Sequence, residues 1–238
     1  MLLKLAEKDR AALAVARAVA DNFDKLTEGV RNELLLKLSE NEEATWIVAK
    51  TVAYNFDRIP KEVRNELLLK LAEKKRAARI VAWTVVDIFN KIPEEVRNKL
   101  LLKLSEKEEA ARIVAWTVVY NFKKIREEVR NKLLLKLSEN DRTVGIVIRI
   151  IRDNFNKIPK HVLLKLSENE EAAGDVASAI AVNFDGLSEE ARNELLLKLS
   201  ENDNAAGIVA RIVRDNFNEL PEEVRRQLLE KVRRRWTN

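Results

Sequence analysis

One phrase, Leu-Leu-Lys-Leu or a close variant, recurs along the chain with its lysine at Lys4, Lys37, Lys70, Lys103, Lys136, Lys165, Lys198 and Lys231, every 33 residues except for one interval of 29. A fixed period of about 20 to 50 residues marks repeat architectures, in which each unit buries its apolar face only against its neighbours. The units run 1–33, 34–66, 67–99, 100–132, 133–161, 162–194 and 195–227, with a partial unit 228–238, and are expected to form a single domain. Phe23, Phe56, Phe89, Phe122, Phe155, Phe184 and Phe217 all occupy one repeat position. That register predicts a buried ring stacked between neighbouring units.

Within a unit, residues 41–57 place Ala44, Ile47, Val48, Val52 and Phe56 at spacings of three and four, the pattern of a helix with one apolar stripe. Asn41 is its expected N-cap, with Glu42 and Glu43 in a first turn where the helix dipole favours acids. Pro60 fits the first turn of the next helix over 60–71, whose Val63, Leu67, Leu68 and Leu71 supply the facing stripe. Pro93, Pro159 and Pro221 take the same place, and Thr27 and Ser188 stand there as caps. Neither helix can bury its stripe alone, so hairpin must stack on hairpin.

The units resemble HEAT-like repeats. PKEVRNELLLKL (60–71) corresponds to the first helix of such a unit, followed by a second helix entered by an acidic residue or Asn with an Arg a few residues on. Asp9, Asp141 and Asp203 fall at the acidic position, and Arg79 and Arg112 at the Arg position. The resemblance implies an all-α, right-handed α-solenoid of about seven 33-residue hairpins, with the second helices lining the concave face.

Composition agrees. With 46% hydrophobic and 35% charged residues and only five Gly and four Pro, the chain reads as a helix-rich soluble protein. No cysteine is present, which excludes disulfides and Cys-based zinc sites. Neither a signal peptide nor an apolar run of the roughly 18 to 20 residues a membrane span needs is found, so a cytoplasmic location without membrane attachment is expected. Few Met and Gln beside many Lys, Arg and Glu lean toward thermostability, although the many Asn pull the other way. The net charge of +5 is a mild excess, far from that of an obligate nucleic-acid binder.

Two irregularities stand out. The unit around Pro159-Lys160-His161-Val162 lacks four residues, about one helical turn, so its apolar phase survives while the stack is expected to bend there. The chain also begins inside a first helix with no polar capping repeat, which fits a fragment of a longer array, end-to-end self-association or a tolerated exposed end.

Asn22, Asn55, Asn121, Asn154, Asn183 and Asn216 precede the phenylalanines and are expected to satisfy backbone groups of adjacent helix ends. Glu7, Glu40, Glu73, Glu106, Glu139, Glu168 and Glu201 lie three residues after the repeat lysines and should neutralise them along a solvated edge. Function is sought instead at the positions of the second helix that vary and face away from its stripe. The first reads Leu13, Trp46, Arg79, Arg112, Gly145, Gly174, Gly207; the next Arg17, Lys50, Trp83, Trp116, Arg149, Ser178, Arg211; the third Asp21, Tyr54, Asp87, Tyr120, Asp153, Val182, Asp215.

Aromatic residues interleaved with Arg and Lys suit recognition, because Trp, Tyr and Arg dominate binding hot spots. The candidate strip is therefore Trp46, Lys50, Tyr54, Arg79, Trp83, Arg112, Trp116, Tyr120, Arg149, Arg152, Arg211 and Arg214. Against it, Trp83 and Trp116 could pack between units, and Arg17 with Asp21, Arg149 with Asp153 and Arg211 with Asp215 could be spent as i to i+4 pairs. Gly145, Gly174 and Gly207 read either as a floor open to a ligand or as tight helix packing. His161 is the single histidine and no Gly-rich phosphate loop occurs, so no catalytic residue, metal or cofactor is assigned. The expected function is non-catalytic scaffolding of a protein or peptide. A nucleic-acid-binding groove is the alternative, and a designed or consensus-like repeat without natural ligand a third, against which the deletion argues.

Overall fold

A computed structural model describes residues 2–236; Met1 of the first repeat unit and Thr237 and Asn238 of the last lie outside the described residues. Among those residues the chain is all-α, with fifteen α-helices, five short 3-10 turns and no strand. It forms two compact units, Met1–Thr117 and Val118–Asn238.

The first unit contains α1 (Leu2–Ala6), α2 (Asp9–Asp21), α3 (Glu28–Leu38), α4 (Thr45–Tyr54), α5 (Lys61–Ala72), α6 (Lys75–Asp87), α7 (Glu94–Ser105) and most of α8 (Glu108–Asn121). The second holds α9 (Glu127–Ser138), α10 (Asp141–Asn154), α11 (Lys160–Leu166), α12 (Glu170–Val182), α13 (Glu189–Leu199), α14 (Asp203–Asp215) and α15 (Glu222–Trp236). Contacts run between sequence neighbours: α2 packs on α3 and α4, α4 on α5 and α6, and in the second unit α10 on α9 and α12, α12 on α13 and α14. Odd-numbered helices carry the Leu-Leu-Lys-Leu phrase; even-numbered helices carry the variable face.

Each odd helix is apolar where it must be. Leu67, Leu68 and Leu71 of α5 are buried, as are Leu34, Leu35 and Leu38 of α3 and Leu100, Leu101 and Leu104 of α7. Each such side chain contributes about 1.5 to 3 kcal/mol of burial. The shortened α11 keeps this phase, with Val162, Leu163 and Leu166 buried.

Helix ends differ in detail from the sequence reading. The even helix of the second repeat begins at Thr45 rather than after Asn41, although the Ala44 amide still donates to the Asn41 side chain at 3.3 Å. It stops at Tyr54, because Asn55 leaves helical geometry (φ −111°, ψ 23°) and Phe56–Arg58 forms a 3-10 turn. Asn55 Nδ2 donates to the Thr51 carbonyl at 3.0 Å, and Asn22, Asn154, Asn183 and Asn216 each donate to the carbonyl four residues back at 2.9–3.1 Å. The repeat asparagine thus closes its own helix, not a neighbouring one. Pro60 then sits in extended geometry (φ −52°, ψ 141°) just before α5, and its carbonyl accepts from the Arg64 amide at 2.9 Å. Ser188 does cap α13, accepting from the Ala191 amide, while Thr27 makes no side-chain cap bond.

The lysine ladder also runs differently. Lys37 pairs with Glu7, Lys70 with Glu40 at 3.3 Å, Lys103 with Glu73, Lys198 with Glu168 at 3.8 Å and Lys231 with Glu201 at 2.8 Å, so each lysine reaches the glutamate of the preceding repeat. Pairing three residues along the same helix end survives at Lys165 with Glu168 and Lys198 with Glu201. These pairs are exposed, so each contributes only about 0.2 to 1 kcal/mol. Their value is register between successive odd helices.

Candidate functional site

Inside each hairpin a contact couples the odd helix to the repeat phenylalanine. Arg31, Arg64, Arg97, Arg130, Arg192 and Arg225, from the Arg-Asn phrase or its variant, lie over Phe23, Phe56, Phe89, Phe122, Phe184 and Phe217 with the guanidinium carbon 4.0–4.2 Å from the ring centre. Arg64 also donates to the Phe56 carbonyl at 2.9 Å, Arg97 to that of Phe89 at 3.0 Å and Arg130 to that of Phe122 at 3.2 Å. Burial pushes the Arg97 and Arg130 guanidinium groups below the ordinary arginine value. These arginines are structural, and the sequence reading passed over them. Their signal was the constant spacing of eight residues after each phenylalanine, lost only in the shortened repeat of Phe155.

Six of the seven rings are buried as expected, but Phe217 is 46% exposed. Phe23 has a further guanidinium near it, that of Arg58, 35 positions further on and 5.1 Å from the ring centre.

The variable face of the even helices divides by unit into two chemistries. In the first unit α4 carries Trp46, Lys50 and Tyr54 one turn apart, and the adjacent α6 carries Arg79, Trp83 and Asp87 at the same register. Tyr54 is 85% exposed and Trp83 51%, while Trp46 is half-buried with the Lys50 ammonium 5.1 Å from its ring centre. Packing between repeats therefore does not account for Trp83. Arg112 is exposed and Trp116 half-buried on α8. Among the described residues, Arg17, Lys50, Arg79 and Arg112 have no carboxylate at ion-pair distance. Arg17 and Asp21 do not use the i to i+4 spacing that would let them pair. A groove of about 360 Å³ is lined by Arg17, Asp21, Trp46, Lys50, Thr51 and Tyr54 with their neighbours.

Tyr120, 76% exposed, belongs to the second unit. There the strip carries no further aromatic ring. Arg149 and Arg152 on α10 and Arg211 and Arg214 on α14 are exposed, with α12 packed against both helices. Arg149 lies 3.7 Å from Asp153, Arg152 lies 3.9 Å from Asp175, and Arg214 bonds Asp215 at 2.9 Å. The expected pair of Arg211 with Asp215 is not formed. Gly145 and Gly207 face open space, so tight packing does not explain them; a Cβ on Gly174 would come 3.0 Å from the Asn204 carbonyl oxygen, so there it does. A second hollow, of about 450 Å³, is lined by Glu127, Arg130, Asn156, Lys157, Ile158 and Pro159, beside the helix that lacks a turn.

His161 is exposed, and no group of three or more His, Asp or Glu able to hold a metal occurs among the described residues. No described helix is long and apolar enough to cross a membrane. No protein family, curated protein or solved structure matches the chain.

Proposed function

We propose that the chain is a non-catalytic binding module, an α-solenoid of HEAT-like hairpins that holds a peptide or protein on the variable face of its even-numbered helices, the concave face of such a stack. The observation that carries this reading is the first unit's combination of exposed Tyr54 and Trp83 with cations not engaged by carboxylates. Exposed aromatic rings beside arginine concentrate binding energy, because they bury large area on contact at small conformational cost. The 33-residue period supports the solenoid assignment, as do contacts confined to sequence neighbours.

Nucleic acid fits this surface less well. Three of the four candidate arginines of the second unit lie against aspartates, and Asp21 and Asp87 interrupt the cations of the first. Affinity for phosphates comes from the cations that neutralise them, and a carboxylate beside such a cation offsets that gain.

The test is selection from a displayed random peptide library on the full chain, followed by titration of the enriched peptides against Tyr54→Ala and Trp83→Ala. Affinity should drop by about tenfold or more in either variant, as for hot-spot aromatics, while thermal stability holds. No enrichment, or enrichment indifferent to both substitutions, would end the proposal.

A further inference from the structure

The groove between α2 and α4 carries more information than an exposed patch. It places two cations side by side at one register, Arg17 on α2 and Lys50 on α4, neither held by a carboxylate of the chain. Several other surface cations of the first unit are paired, Arg58 with Asp24, Arg76 with Glu43, Lys91 with Asp57 and Lys70 with Glu40, whereas Arg79 and Arg112 on the same variable face share, among the described residues, the unpaired state of Arg17 and Lys50. One turn along the helices stand Asp21 and Tyr54, and one turn back on α4 stands Trp46. A bound segment thus meets positive charge in the middle row, an aromatic wall beside it and negative charge at the edge.

Geometry selects the shape of that segment. Packed helices lie about 8 to 10 Å apart, and a polyproline II strand rises about 3.1 Å per residue with three residues per turn, so every third residue returns to the same side after about 9 Å. A segment crossing the even helices in this form offers one side chain to each helix. Aromatic-lined grooves suit it further, since its pre-extended backbone loses little freedom on binding.

We propose that this groove takes an acidic, extended segment of a partner protein in polyproline II conformation. Carboxylates at positions i and i+3 lie on Arg17 and Lys50, and proline or apolar side chains lie against Trp46 and Tyr54. A nucleic-acid strand carries a charge at every nucleotide and would bring phosphates beside Asp21, whereas an acid at every third residue does not. The assignment rests on the binding-module reading above.

The experiment titrates the full chain with fluorescein-labelled twelve-residue peptides: a Glu-Pro-Pro repeat, its Gln-Pro-Pro and Lys-Pro-Pro counterparts, and a Glu-Pro repeat that places charge at the wrong spacing. The Glu-Pro-Pro peptide should bind saturably and about tenfold or more tighter than each of the others. Arg17→Glu and Lys50→Glu should each remove that preference with the helical melting curve unchanged. Equal binding of the Gln-Pro-Pro or Glu-Pro peptide overturns the proposal, as does displacement of the Glu-Pro-Pro peptide by oligothymidylate at equal or lower concentration. The library selection separates the two levels. Enriched peptides that are neutral or basic yet depend on Tyr54 and Trp83 sink the acidic assignment and leave the binding module standing, whereas a failed selection removes both.

Discussion

Gly145, Gly174 and Gly207 occupy equivalent fifth positions of α10, α12 and α14, and a set of Ala substitutions there tests how the second unit is packed. In a helix interior Gly is about 0.8 to 1.0 kcal/mol less favourable than Ala. At Gly145 and Gly207 an added Cβ meets nothing within 4 Å, so the full gain should appear. The two sites lie on helices with α12 packed against both and share no partner, so the double variant should gain about 1.6 to 2.0 kcal/mol.

The entropy of unfolding is about 2.1 cal/mol/K per residue, so a unit of about 120 residues gives about 250 cal/mol/K and a rise in Tm of about 6 to 8 °C for that gain. If the whole chain melts as one, the rise halves. Gly174→Ala behaves differently: its Cβ would press on the main-chain oxygen of Asn204 at 3.0 Å, and the backbone of α14 must give way. There Tm should stay level or fall. Differential scanning calorimetry of the three single variants and the double decides the matter. A loss of stability at Gly145 or Gly207, or a gain at Gly174 equal to theirs, would refute the assignment of open and closed sites.

Other outcomes follow from the same contacts. Arg64→Met removes the 2.9 Å bond to the Phe56 carbonyl and the stacking at 4.0 Å; a urea titration should show a loss of about 2 to 4 kcal/mol, the sum expected of a charged hydrogen bond and a cation–π contact. Arg64→Lys should restore only part of it, since an ammonium lacks the planar fork. Leu68→Ala, at a fully buried site, should cost about 2 to 5 kcal/mol, whereas Trp83→Ala should cost less than about 1 kcal/mol, and a reversal of that order in chemical denaturation would show the indole to be core. The Glu73 carboxyl is held below the usual carboxylate range, first by its hydrogen bond from Lys103 and then by the charge of that lysine. A lowered value means stability present above the unfolded value near pH 4.3 and lost as pH falls through the folded one, so the urea midpoint should drop on acidification below about pH 4.5. Glu73→Gln should shallow that drop, and an unchanged pH profile would show the ladder pair to be without effect.

The sequence carried the period, the alternation of two helix types and the outward positions of the even helices, because each is a matter of spacing that a helix converts directly into direction. Trp83, Tyr54 and Arg79 stand on the exposed face where 3.6-residue periodicity puts them. Pairings across units were less legible. Lys70 has Glu73 three residues on and Glu66 four back, and nothing local says that its ladder partner is Glu40 of the preceding repeat, which only the stacking of odd helices brings to 3.3 Å. Spacing likewise did not reveal that Phe217 is 46% exposed while the six equivalent rings are buried.

Arg64 and its equivalents were missed for a different cause. A charged residue beside a leucine stripe reads as a solvated flank, yet its aliphatic stem can run along the apolar surface while the guanidinium reaches a ring and a carbonyl. That contact explains why function can be written on the even helices at all. Phe56, Arg64 and the Leu67-Leu68-Leu71 stripe fix the hairpin from the side facing the core, through atoms none of which belongs to Trp46, Lys50 or Tyr54. Most of the outer positions are thereby relieved of structural duty and can change from Trp to Arg to Gly between units while the fold persists, Gly174 against the Asn204 backbone being an exception. A face that varies over an invariant frame is where a repeat protein can acquire specificity, and in the first unit the variation has left rings and cations together.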